Sequence, residues 1–443
     1  MKVSLSFVIA AFSTLSLIAS QNVPKCSRTP VRKEARTLSD GEWNTLLSTA
    51  SQMHTLGWFM WFSFLHVRFF DSIHFVGMFF PWHRRFIREF EGIAQYYNPN
   101  FVLHYWDATI DASDPRSSPI LTTGRMGGNG GPNGCVNSGF QSGWVITLPG
   151  MSQTCLSRDF SGMSTYDSPE IITSVIQSSQ SYGDFRPSIE MGIHAQVHNS
   201  IGGAMGQKYS PSDFIFFLHH SNIDRIWWQF QRARSENLWS YNSANNEGSI
   251  SLNDQIPVFT SPVGDVMVVG YGSNCYSYDN APANNRRDDT TTDDPSDIAA
   301  VVASPEMNLA TGVSASTIDK YFPLLAADDT NPNSVAMPNF VSTKAANYAK
   351  SNKGNASKYS KKPVPAGTIS DSIVSTANTI APGYTAPVNV SASSKPQLKI
   401  PPPLPLEYIL MCKYDVDQYN KMYANNVQLI NQLNADGYVS PYV

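Results

Sequence analysis

The chain has 443 residues, 42 % hydrophobic and 12 % aromatic, enough apolar material for one large core or two smaller ones. Its formal net charge is −4 and its lysines and arginines are dispersed. That composition offers no electrostatic footprint for nucleic acid or an anionic membrane surface.

In chain order, Lys2 precedes an apolar stretch from Val3 to Ala19 that ends on the small residues Ala19 and Ser20. This predicts a secretory signal over residues 1–20, and hence a secreted protein with no membrane attachment after signal removal. A membrane anchor is disfavoured because the run is short and no stop-transfer pattern follows it. Secretion favours disulfides. Of the five cysteines, Cys135 and Cys155 share one Gly-rich loop and are the first pair expected. Cys26 with Cys275 would tie the ends of the core, and an odd count leaves at least one thiol over. The absence of a Cys-x-x-Cys pair argues against a zinc ribbon or a thioredoxin-type site. Sequons at Asn355 and Asn389 are candidate glycosylation sites in a polar region.

Residues 21–279 read as the globular part. Ser39 and Glu42 form a capping box at a helix start. Met53 to Phe70 reads as one buried aromatic helix, and Trp82 to Tyr97 as a second. Residues 112–165, rich in Gly, Ser, Pro and Asn, read as a long irregular excursion stapled by cysteines. His194 to Asn199 begins a helical segment. The turn Ser210 to Asp213 leads into an apolar helix over Phe214 to Arg234, and short strands are expected around Asp265 to Val269. Residues 280–395 are polar and low in complexity, which predicts a loosely structured, partly disordered region. After Pro401-Pro402-Pro403, residues 405–436 carry apolar positions at helical spacing, so 396–443 should form a helical segment docking back on the core.

All nine histidines lie between His54 and His220. Histidine is the commonest metal ligand. His194 and His198 are four apart, on one helical face, and His220 follows them with His219 beside it. Asp224, four after His220, is placed to orient an imidazole or to pair with a nearby Arg. Upstream, His66, His74 and His83 form a second group. Ala195 stands where a zinc protease needs Glu, which disfavours H-E-x-x-H chemistry. Nitrogen-only donors without an acidic cluster favour copper or zinc over harder cations. Two such groups facing each other would suit a copper pair that takes up dioxygen.

Ser72 to Phe86, with Tyr105-Trp106-Asp107, resembles the first copper site of tyrosinases and catechol oxidases, the type-3 copper polyphenol oxidases. His194 to Gly203, with Ser210 to Arg225, resembles the second, Cys275-Tyr276-Ser277-Tyr278 is similar to the close of that family's central domain, and the tail from Leu433 to Pro441 is similar to that of short secreted fungal members. The resemblance implies a mainly α fold with a four-helix bundle around a binuclear copper site, long loops and a few short strands. It implies His66, His74 and His83 on copper A, His194, His198 and His220 on copper B, and His219 beside the ligands without binding. His54 is the alternative first ligand, and His104 stands where the family has Pro. Ser72 replaces the Cys that some members cross-link to the second histidine.

The implied activity is oxidation of o-diphenols to o-quinones with reduction of dioxygen to water. Monophenol hydroxylation is in doubt because Ala195 replaces a usual Asn. Asn199 and Glu190 are the remaining candidates for placing water or substrate, with an ordinary surface role the alternative for Glu190. Phe216 is the candidate lining of an apolar mouth. Alternatives are a haemocyanin-like dioxygen-binding protein and an o-aminophenol oxidase. Residues 280–395 are read as a dispensable linker, with a latency role released by cleavage at Arg286-Arg287 as the alternative.

Overall fold

The computed structural model describes residues 23–244, 248–279, 313–325 and 397–442. The signal segment, the sequons at Asn355 and Asn389, and the Arg286-Arg287 pair lie outside them.

Helix α1 spans Asp40–Thr55, and its capping box is formed as expected: Ser39 accepts from the Glu42 backbone N–H while the Glu42 carboxylate accepts from that of Ser39. The single buried helix expected over Met53 to Phe70 is instead the end of α1 and a separate helix α2, Trp58–Ile73. The break has a local cause. Gly57 sits at φ +85°, a left-handed conformation open to glycine, and turns the chain between the two helices. Helix α3 spans Phe79–Tyr97 and buries Phe79, His83, Phe86 and Phe90, one face at helical spacing.

Two helices lie where the sequence reading assigned no element: α4, Pro169–Ser178, with Pro at its first position, and α5, Tyr182–Ile189, capped by Ser181. Pro187 inside α5 lacks an N–H, and the chain then widens into a π turn over Glu190–His194 before α6, Ala195–Ile201. His194 therefore caps α6 rather than lying within it. Helix α7 spans Ile215–Ala233, and every residue in it but Arg232 is buried, which marks it as the central helix. Asp213 precedes it, accepting from the Ile215 N–H and paired through both oxygens with the buried Arg158 of the long loop.

Helices α2, α3 and α7 close on one another through aromatic rings. Phe90 and Phe217 stack at 3.8 Å, and Phe62 meets Phe86 edge-on at 4.9 Å. Large rings in such contacts dominate core energetics. The long loop carries a two-residue strand, Val145–Ile146, paired antiparallel with Thr154–Cys155, and the Cys135–Cys155 disulfide staples it. The Cys26–Cys275 disulfide is also formed, and Cys412 is left as a buried free thiol. The strands expected around Asp265 to Val269 are not there: that segment is a 3-10 turn, Val263–Val266. The strand lies further on, at Ser277–Tyr278, in parallel register with Val31–Arg32.

Within the polar 280–395 stretch, helix α8, Ala315–Tyr321, packs against α4 and against the last helix, α10, Val416–Ala435. Ile171, Ile318, Phe322, Leu429 and Leu433 fill that interface. The expected C-terminal helix is divided into α9, Leu406–Met411, and α10 by a turn in which Lys413 takes a positive φ. Tyr438 donates to Glu170 across the docked face at 3.0 Å. No helix among the described residues is long and apolar enough to cross a membrane.

Candidate metal centre

Helices α2 and α3, with the turn between them, bring together His66, His74 and His83; the π turn, α6 and α7 bring together His194, His198 and His220. In each group one ring nitrogen from each histidine lies within 4.8 Å of the other two, and every ring is buried. The groups face each other: the rings of His83 and His220 stack at 4.5 Å, and those of His74 and His194 lie 6.1 Å apart.

Backbone carbonyls orient five of the six rings through Nδ1. His66 meets Lys208 O at 2.6 Å, His74 meets Phe70 O at 3.1 Å and His83 meets Phe79 O at 2.7 Å. His194 meets Glu190 O at 3.0 Å and His198 meets Met205 O at 2.7 Å. A carbonyl accepts only, so each Nδ1 carries the proton and each Nε2 turns a bare lone pair inward. Nε2 of His66 and Nε2 of His83 are 3.5 Å apart, with no proton to share between them. Nε2 of His198 and Nε2 of His220 are 3.2 Å apart, and the buried Nε2 of His194 has no protein partner. Converging lone pairs in a dry site call for a cation, and an all-imidazole set fits copper or zinc.

Burial, the largest cause, pushes His66 down to about 3 and His198 to about 4, and holds the other four far below the ordinary histidine range. All six are therefore neutral near pH 7, the protonation state that binds metal.

Of the remaining histidines, His54 and His104 lie apart from both groups. His54 stacks on Trp144 at 3.8 Å near the end of α1, and His104 accepts from the Lys33 N–H at 3.0 Å. His219 is buried behind His194, ring parallel to ring at 5.8 Å. Asp224 pairs with arginine rather than with an imidazole: it accepts from Arg84, Tyr276 and Tyr278 and faces Arg32.

Three expectations for substrate residues change. Phe216 does not line an open mouth: its ring is wholly buried, stacked on His220 at 4.0 Å and edge-on to His66 at 5.2 Å, so it backs the imidazoles. Glu190 is not a surface residue; it is fully buried, with one oxygen accepting from the Phe75 N–H at 2.7 Å and the other from Arg186 at 2.6 Å. Asn199 turns its amide onto Ala195 O at 2.8 Å and is hydrogen-bonded to the Tyr408 hydroxyl.

That contact with Tyr408 belongs to a wall missing from the sequence reading. Leu404, Ile409, Tyr419 and Tyr423 of the C-terminal segment pack on Met191 and Ala195, with Phe75 and Tyr408 against the same cluster. Phe79, also missed, touches the rings of His83 and His194, both at 4.8 Å. The Arg186–Glu190 pair had a sequence signal, opposite charges four apart on a helix; Tyr408 had none, because its partners are remote in sequence.

Comparison with known proteins gives the same frame. The profile of the common central domain of tyrosinase matches residues 48–233, which include all six histidines. A tyrosinase-like protein of Diaporthe leptostromiformis is 29 % identical over 291 residues, covering 57 % of this chain and 74 % of that protein. A tyrosinase of Streptomyces lincolnensis is 36 % identical over 173 residues, covering 35 % of this chain and 62 % of that protein. Among solved structures, a polyphenol oxidase from Thermothelomyces thermophila superposes with a TM-score of 0.50 at 21 % identity, covering 58 % of this chain and 90 % of that one. Its likeness is one of fold. The two motifs, the paired histidine groups and these relatives agree: residues 48–233 carry the common central domain of the tyrosinase family.

Proposed function

We propose that this protein is a secreted copper oxidase that converts o-diphenols to o-quinones at a pair of copper ions, reducing dioxygen to water. His66, His74 and His83 would hold one ion and His194, His198 and His220 the other. The observation that carries the reading is the set of five carbonyl-anchored imidazoles whose Nε2 lone pairs converge in two buried groups. When bound, the copper pair supplies dioxygen binding and the electron transfer that no side chain here provides.

The chain's own residues hold the ligands and exclude water. The carbonyl anchors fix five of the six rings so that metal binding there requires no tautomer change. Phe79 and Phe216 fill the space around the rings, and low polarity there strengthens each ligand bond. A phenol would approach past the C-terminal wall at Tyr408.

Diphenol oxidation is favoured over monophenol hydroxylation. Ala195 offers no polar atom on its side chain beside His194, and the Asn199 amide is engaged with Ala195 O and Tyr408. Secretion is supported by the two disulfides, which persist in oxidising compartments.

Rates measured side by side on tyrosine, tyramine, catechol and an o-aminophenol, with copper content determined on the same sample, test the reading. Two copper ions per chain with turnover of catechol well above tyrosine is expected. Reversible dioxygen binding without catechol turnover would sink the enzyme reading in favour of a carrier.

A further inference from the structure

Phe75 stands at φ +60°, one of three non-glycine residues with positive φ among those described, and it directly follows His74. A bulky side chain keeps that conformation only where its surroundings over-determine it. What holds it is Glu190. One carboxylate oxygen accepts the Phe75 N–H at 2.7 Å, and the other is held by Arg186 at 2.6 Å. Both Arg186 and Glu190 are buried.

Glu190 opens the π turn, and its own backbone carbonyl accepts from His194 Nδ1 at 3.0 Å. One residue thus grips the backbone next to a histidine of the first group and the ring of a histidine of the second, across 115 residues of sequence. The rings of His74 and His194 face each other at 6.1 Å, at 27° to one another.

We propose that Glu190 is a positioning residue that sets the spacing of the two copper ions, acting as a strut between the His74–Phe75 turn and the π turn. The inference rests on the assignment of the six histidines to two coppers. Arg186 holds the carboxylate in place, and the left-handed turn at Phe75 places its N–H toward that carboxylate.

The test uses full-length, copper-loaded protein, with copper content, electron paramagnetic resonance and steady-state kinetics measured on one preparation. Two Cu(II) ions at bridging distance couple and give no resonance signal; ions moved apart do. For Glu190→Gln we expect two coppers per chain, a clear Cu(II) signal, and kcat on catechol reduced about a hundred-fold at unchanged KM, the loss a misplacement of about 1 Å produces. Adding Phe75→Gly, which accepts a positive φ unaided, should return the silent pair and most of kcat.

A Glu190→Gln protein that stays silent at full catechol rate overturns the proposal. So does one that stays silent and loses only monophenol turnover, which would make Glu190 a water-holding group. A double variant that keeps the signal also overturns it. If Glu190→Gln does not fold, recovery of a folded, silent pair in the double variant supports the strut, and failure of both overturns it. Wild-type protein holding fewer than two coppers refutes the copper assignment itself, a result distinct from all of these.

Discussion

Tyr278 donates its hydroxyl proton to Asp224 Oδ2 at 2.5 Å, from the last strand of the central domain to the middle of its most buried helix. Tyr276 donates to the same oxygen at 2.6 Å, and Arg84 pairs with the other one. Burial drives both phenols above their ordinary range, so they stay protonated and remain donors. Asp224→Asn leaves Arg84 and Arg32 facing a neutral amide in a dry interior. The expected cost is about 3–5 kcal/mol, as for other broken buried ion pairs. Tyr278→Phe should cost about 1–2 kcal/mol, one hydrogen bond to a charged acceptor. Denaturant unfolding of the metal-free proteins measures both, and equal losses would show that the charge of Asp224 does not matter.

His219 and His220 are adjacent on α7, yet only His220 joins the group with His194 and His198. Replacing His220 by Asn is expected to lower copper from two ions to about one per chain, because an open two-histidine site keeps its ion weakly. Replacing His219 by Asn should leave both ions bound. Metal analysis after dialysis decides, and loss of one ion from both variants would remove the distinction.

At Gly192 the backbone leaves helical geometry, at φ −92° and ψ −121°, and an added Cβ would meet Asp167 Oδ2 at 2.8 Å. Asp167 cannot swing away freely, since it exchanges two hydrogen bonds with Gln196. Gly192→Ala should destabilise by about 1–3 kcal/mol, the usual range for overpacking. Its copper affinity should fall too, because His194 ends the same turn. Thermal unfolding with and without copper separates the two effects.

His104 supplies a pH dependence of known sign. Burial lowers it to about 4, against about 6.5 for the unfolded chain. Between those values the unfolded state binds a proton that the folded state refuses, so stability falls as the pH drops through that window and levels off below it. His104→Leu lacks that proton and should narrow its stability gap to the wild type by about 1.4 kcal/mol per pH unit across the window. Paired unfolding curves near pH 7 and pH 5 measure the change; a constant gap would mean that His104 charges freely.

The site was legible because its chemistry is written in local spacing. His66, His74 and His83, the His194–His198 pair and His220 each sit inside a recognisable motif, and both disulfides followed from loop composition and from the ends of the core. What stayed hidden depends on contacts remote in sequence. Glu190 reads either as a water-placing carboxylate or as an ordinary surface one, and nothing local points to Phe75, 115 residues away. Tyr408 sits in an amphipathic helix that only the fold brings to Asn199. Helices α4 and α5 were missed for another reason: Pro169 and Pro187 look like breakers, yet one starts a helix and the other is carried through at the edge of a π turn. The strand at Ser277–Tyr278 is two residues long and owes its pairing to Val31–Arg32, so no periodicity marks it.

The Cys26–Cys275 bond, 249 residues across, makes the central domain a covalent ring, and the six metal-site histidines all lie on its circumference. A single protease nick in the long loop would open the ring without releasing a fragment, so the cut chain runs intact on a non-reducing gel and divides only after reduction. A cut beyond residue 279 falls outside the ring. It would detach the tail from the chain while leaving the ring closed, with only the packing on Met191 and Ala195 and the other docked faces to keep the tail in place.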